Sequence, residues 1–154
     1  MARAKRPRRH GRVREAAASR YEKHDTGLSG VLYDSDVVID ILRGRSEIME
    51  QAIMLEASGV PTFCTAITWA EIYAGIRPGE EPLTQAFFDA RGEIALDGQV
   101  GRRAGAYLAR YAKSHSVELA DALVAAAATT SGMWLWTLNR KHYPMPDLKF
   151  YDGR

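Results

Sequence analysis

From Gly30 onward, short apolar runs alternate with longer stretches that carry helical spacing, and this alternation restricts the available folds more than any other feature of the chain. Val31-Leu32-Tyr33 reads as a buried strand that ends in the polar turn Asp34-Ser35-Asp36. A helix is expected at once, capped by Ser35 or Asp36 and running through Val37-Val38-Ile39-Asp40-Ile41-Leu42 to Arg43-Gly44-Arg45. Ser46 opens a second helix to about Ala57, and Ser58-Gly59-Val60-Pro61 stops it. The pattern then predicts a strand over Phe63–Ala66, helices over Ile67–Arg77 and Glu81–Ala90, and a short strand over Glu93–Leu96. Two Ala-rich helices over Asp97–Ser114 and Leu119–Thr130 and a last strand within Met133–Leu138 complete it. The expected fold class is therefore α/β, with a central parallel sheet of about four to five strands in the middle of three layers.

Charge divides the chain into two parts. Residues 1–25 hold nine Lys or Arg and three acids, and the remainder holds twelve bases and sixteen acids. The first 29 residues lack sustained apolar periodicity and read as a basic, disordered extension, or as the product of a start placed too early, with the domain over residues 30–154. The acidic remainder excludes a blanket basic surface for nucleic acid, so attraction to phosphate has to come from local Arg clusters, a metal or the tail. Charged residues make up 26% of the chain and no apolar run approaches the length of a membrane span, so a soluble, cytoplasmic protein with no membrane contact is expected. The single cysteine, Cys64, sits in an apolar-leaning run and reads as a small buried thiol, not a nucleophile. Trp69, Trp134 and Trp136 likewise read as core.

In open parallel sheets the reactive crevice lies beyond the carboxyl ends of the strands. Asp34 and Asp36 follow the first strand, Glu71 falls on the helix after the second, Asn139 follows the fourth, and Asp121 interrupts the apolar run Leu119-Ala120-Asp121-Ala122-Leu123-Val124. Each acid has an ordinary use as a helix cap or a solvated side chain. Several converging carboxylates would repel one another unless a hard cation held them, and all-oxygen sites with retained waters are the chemistry of Mg²⁺, with Mn²⁺ as a substitute. That chemistry suits phosphodiester hydrolysis.

The stretches Leu32-Tyr33-Asp34-Ser35-Asp36-Val37-Val38-Ile39-Asp40, Thr68-Trp69-Ala70-Glu71-Ile72-Tyr73-Ala74-Gly75, Leu119-Ala120-Asp121-Ala122-Leu123-Val124-Ala125-Ala126 and Thr137-Leu138-Asn139 resemble the successive signatures of PIN domains, specifically VapC-type toxins of toxin–antitoxin pairs. The resemblance implies a Mg²⁺-dependent endoribonuclease. It places Asp34 and Asp121 as metal ligands and Glu71 as the third catalytic acid, orienting metal-bound water, with Ser35 beside the metal. Asn139 stands where such proteins usually carry a further acid or amide, and His142 where an Asp is frequent, so Asp36 is the candidate for the missing carboxylate. RNA is the implied substrate and a VapB-type antitoxin the implied partner, with homodimerisation through helices. Val37, Ile41, Ile48 and Leu55 are candidates to line an antitoxin groove, and Arg43, Arg45, Arg102, Arg103 and Arg140 are candidates to touch phosphates. Two rival readings remain. One is a PIN-like binding module that has lost catalysis. The other is a haloacid-dehalogenase-type phosphatase suggested by Asp34-Ser35-Asp36, which lacks the Lys and the late pair of acids that such an enzyme needs.

Overall fold

The computed structural model describes residues 29–153, so the expected basic extension lies outside the described residues except for Ser29. A parallel sheet in the order β3-β2-β1-β4 forms the middle layer, built from β1 (Val31–Tyr33), β2 (Thr62–Thr65), β3 (Gly92–Ile94) and β4 (Trp134–Trp136). Helices α1 (Ser35–Leu42), α2 (Ser46–Ala57), α3 (Ala66–Ala74), α4 (Glu81–Asp89), α5 (Gly98–His115) and α6 (Leu119–Ser131) connect the strands. A short 3₁₀ turn, Arg140–His142, follows β4, and Phe150 pairs with Leu135 in an isolated parallel bridge on the free edge of that strand. The α/β class and the three layers expected from the alternation are what the chain adopts.

The two faces of the sheet follow from the period-two alternation of its strands. Leu32 and Leu135 point into a core completed by α5 and α6, where Val100, Ala104, Tyr107 and the run Ala125–Ala128 are buried. Val31, Tyr33 and Trp136 point the other way, into a core built from Val37, Val38, Leu55, Ile72, Phe87 and Phe88 of α1–α4. The small side chains of α6 let α5 and the sheet approach closely, which explains an Ala-rich helix at the centre of a layer.

Several boundaries move. The cap of α1 is Asp34, one residue before the expected Ser35 and two before Asp36, because Asp34 keeps extended geometry and its carboxylate accepts from the Ser35 N–H. β2 and β3 each begin one residue earlier than the apolar pattern predicted, since pairing partners and not side-chain polarity set strand ends. α3 stops at Ala74 with Gly75 as its cap, three residues short of Arg77. Val37 and Leu55 are buried in the core and are therefore not groove residues, whereas Ile41 and Ile48 are half-buried at its margin.

Candidate active site

The chain steps from β1 outward to β2 and β3 and then returns to place β4 on the other side of β1. The crevice beyond the carboxyl ends of β1 and β4 is thus the topological switch point, where neighbouring connections diverge and leave room for a ligand. Asp34 leaves β1 there, its N–H donating to the Trp136 carbonyl at 2.9 Å. Thr137 leaves β4 beside it, and its hydroxyl lies 2.9 Å from Asp34 Oδ2 and 3.3 Å from Asp36 Oδ2. Tyr143, just past the 3₁₀ turn, donates from its buried hydroxyl to the same Asp34 Oδ2 at 2.8 Å.

Asp121 reaches the crevice from the first turn of α6. It serves there as half of a capping box with Glu118, accepting the Glu118 N–H on Oδ2 at 3.1 Å. Its other oxygen, Oδ1, stands 3.7 Å from His142 Nδ1, while His142 Nε2 lies 3.2 Å from the Asn139 amide nitrogen. The capping use and the site use of Asp121 are therefore compatible, one oxygen for each.

The carboxylates disturb one another. Burial, and then the neighbouring Asp34 charge, lift the Asp36 carboxyl to about 6. Asp121 is also raised, by burial first, with Asp34 adding to the rise while the Glu118 N–H and His142 oppose it. Burial and the adjacent Asp34 carboxylate push the Tyr143 phenol well above its ordinary value, so it remains a hydrogen-bond donor.

Asp36 is drawn into hydrogen bonds on both oxygens. Its Oδ1 accepts the Val37 N–H at 2.7 Å and its Oδ2 accepts the Leu138 N–H at 3.0 Å. It ties the start of α1 to the segment leaving β4, and its lone pairs are largely committed to that task. Ser35 Oγ, by contrast, is buried without a hydrogen-bond partner beside Asp34. Such an orphaned oxygen calls for an explanation. Carboxylates from Asp34 and Asp121, with an unpaired hydroxyl alongside, form an all-oxygen donor set of the kind that suits a hard cation retaining several waters.

Glu71 is exposed on α3 and lines a cleft with Ile39, Leu42, Arg43 and Leu83, between α1, α3 and α4. Among the described residues, no group of three or more His, Cys, Asp or Glu side chains is placed to hold a metal ion. Of the arginines, Arg45, Arg103 and Arg140 are paired with Asp40, Asp147 and Asp152. Cys64 is buried, its thiol pushed up to about 12 by burial, which suits packing and not attack. Trp69 stacks on Phe88 at 4.1 Å between centroids and Trp136 meets Tyr33 edge-on, both as core.

Sequence reasoning did not single out Thr137 or Tyr143. Thr137 was within reach, because it follows β4 as Asp34 follows β1. Tyr143 carried no local signal, since the bond it makes spans 109 residues.

Over residues 31–147 the chain matches the PIN domain family. It is 33% identical over 117 residues to Ribonuclease VapC10 of Mycobacterium tuberculosis (strain ATCC 25618 / H37Rv), covering 75% of this chain and 86% of that protein. To Ribonuclease VapC19 of the same strain it is 31% identical over 120 residues, covering 77% and 96%. Its fold is similar to a chain of the DNA-bound VapBC from Salmonella typhimurium, with a TM-score of 0.68 at 19% identity over 82% of this chain and 100% of that one. A chain of a toxin–antitoxin complex from Klebsiella pneumoniae gives a TM-score of 0.65 at 22% identity, over 81% and 98%. Matched across most of its length by the family and by relatives above 30% identity, this chain belongs to the PIN-domain family, in its VapC branch.

Proposed function

We propose that this chain is a Mg²⁺-dependent endoribonuclease and the toxin of a type II toxin–antitoxin pair. The observation that carries the reading is the convergence of Asp34 and Asp121 at the switch point between β1 and β4, close enough for the Asp34 charge to raise the Asp121 carboxyl. The curated relatives bear the name ribonuclease, which supports RNA as the substrate. A bound Mg²⁺ or Mn²⁺ would supply an activated water and offset negative charge on the scissile phosphate.

The chain's own residues do the rest. Asp34 and Asp121 would hold the cation, and Ser35 Oγ, buried without a hydrogen-bond partner, could add a further oxygen. Asp36 braces the two loops that carry the ligands. Glu71, exposed on α3, is assigned to water orientation through the family resemblance. A VapB-type antitoxin is the proposed partner, in line with the VapBC assemblies among the chain's structural relatives. The cleft lined by Ile39, Leu42, Arg43 and Leu83 offers it an apolar seat with charged margins. A homodimer joined through helices completes the proposed assembly, with Ile53 and Met54 exposed on α2 as apolar contacts.

The test is cleavage of total cellular RNA by antitoxin-free protein with Mg²⁺, with EDTA, and by Asp34→Ala, with the ends mapped. Cleavage confined to wild type with Mg²⁺ supports the nuclease and identifies its target. One observation favours a second reading, a PIN module that binds without cutting: Asn139, beside His142 at the crevice, adds no charge to the acidic cluster. Folded wild type that leaves RNA intact under all conditions would move the assignment to that reading.

A further inference from the structure

The two oxygens of Asp34 are treated unequally. Oδ1 accepts the Ser35 N–H at 2.8 Å and keeps one lone pair free, whereas Oδ2 is filled by the hydroxyls of Thr137 at 2.9 Å and Tyr143 at 2.8 Å. The two hydroxyls differ in commitment. Thr137 has one proton and two carboxylate acceptors, since Asp36 Oδ2 lies 3.3 Å away, and it also accepts the Asn139 N–H at 3.1 Å. Its proton can turn from Asp34 to Asp36. The Tyr143 hydroxyl has Asp34 as its hydrogen-bond partner, and its ring is fixed in the core with Met145 and Leu148.

We propose that Tyr143 is a positioning residue for the metal site: its hydroxyl occupies Asp34 Oδ2 and thereby presents Oδ1 to the cation. The inference rests on the reading that Asp34 is a metal ligand, and it adds a residue from the far end of the chain to that function. Hydrogen-bonded partners of metal ligands fix the orientation of those ligands, and their loss typically weakens metal binding about 10–100-fold. The geometry also links the segment carrying Asn139 and His142 to β1, because the same hydroxyl joins positions 109 residues apart.

The experiment is Mn²⁺ titration of the full chain, followed by electron paramagnetic resonance, for wild type, Asp34→Asn and Tyr143→Phe. Phenylalanine keeps the buried ring and removes only the hydroxyl. Wild type is expected to bind Mn²⁺, Asp34→Asn to lose binding, and Tyr143→Phe to bind at least about tenfold more weakly, with an altered spectrum for the Mn²⁺ that remains bound. Its thermal melt without metal should stay within a few degrees of wild type. Binding by Tyr143→Phe within twofold of wild type, where Asp34→Asn has lost it, overturns the role of Tyr143 and leaves the metal site standing. If wild type itself binds no Mn²⁺, the metal-site reading fails and the role of Tyr143 falls with it. Should Tyr143→Phe not fold, ¹³Cζ-tyrosine NMR of the wild type decides. A Tyr143 resonance that shifts on adding Mg²⁺ supports the proposal, and one that stays in place while Mg²⁺ binds refutes it.

Discussion

Asp36 shows how one side chain can stabilise a site and strain it at once. Its oxygens hold the N–H groups of Val37 and Leu138, yet burial and the Asp34 charge raise its carboxyl to about 6. A carboxyl whose pKa is higher folded than unfolded binds its proton more tightly in the native state, so its contribution to stability is greatest below the unfolded pKa, about 4, and is lost as pH rises through about 6. Asp36→Asn removes this dependence. In metal-free buffer, the melting temperature of the variant relative to wild type should therefore climb by a few degrees between pH 4 and pH 7, whatever offset the altered hydrogen bonds impose. A difference that stays flat over that range would remove the electrostatic account. For Asp121, the capping role makes Asn the better probe than Ala, because loss of a cap alone costs about 0.5–2 kcal/mol. Asp121→Asn should abolish Mg²⁺-dependent RNA cleavage and shift the melting temperature little, as read by cleavage and calorimetry on one preparation.

At the scale of elements, pairing and close packing fix what hydrophobic pattern leaves loose. β2 and β3 pair Phe63 with Gly92, and a Cβ on Gly92 would stand 2.4 Å from the Phe63 ring. Gly92→Ala is expected to destabilise the protein by about 1–3 kcal/mol in urea unfolding, the usual cost of forcing extra volume into a packed contact. Ala125, fully buried on α6, is subject to the same constraint, and Ala125→Leu should cost a similar amount. The helices were legible in the sequence to within a few residues, because caps and spacing are local: Asp97 caps α5 through the Val100 N–H, whereas the Gly75 stop of α3 was passed over in favour of Arg77. The strands were legible as to existence and order but not as to limits, because Thr62 and Gly92 join the ladder through partners distant in sequence.

For the molecule as a whole, the last residues complete the sheet. The Leu135 N–H donates to the Lys149 carbonyl at 2.8 Å, the Tyr151 N–H donates to the Leu135 carbonyl at 2.9 Å, and Leu148 and Tyr151 are buried. A chain ended after Asp147 should expose the edge of β4 and aggregate at a lower temperature than the full chain, measurable by light scattering on heating. Charge acts at this scale too. With the described part of the chain acidic and Arg45, Arg103 and Arg140 paired to carboxylates, the proposed RNA substrate is expected to draw its sequence-independent attraction mainly from the nine bases of residues 1–25. Deleting residues 1–28 should flatten the dependence of RNA affinity on salt concentration while leaving Mg²⁺-dependent cleavage in place. An unchanged slope would place the phosphate contacts elsewhere.

The strand–helix alternation and the parallel sheet could be read from the chain alone, and Asp34 and Asp121 could be picked out as candidates, because periodicity, caps and an acid among apolar neighbours are local signals. Tertiary structure alone decided what those acids touch. Thr137 and Tyr143 meet Asp34 only because β4 lies beside β1, Asp36 becomes a brace because Leu138 arrives within hydrogen-bond reach, and Glu71 lines a cleft with α1 and α4 because α3 packs beside them. The physical reason is distance along the chain. Hydrogen bonds and charges act over a few ångströms of space, and the partners that shape this site are brought within that range only by the order of strands in the sheet.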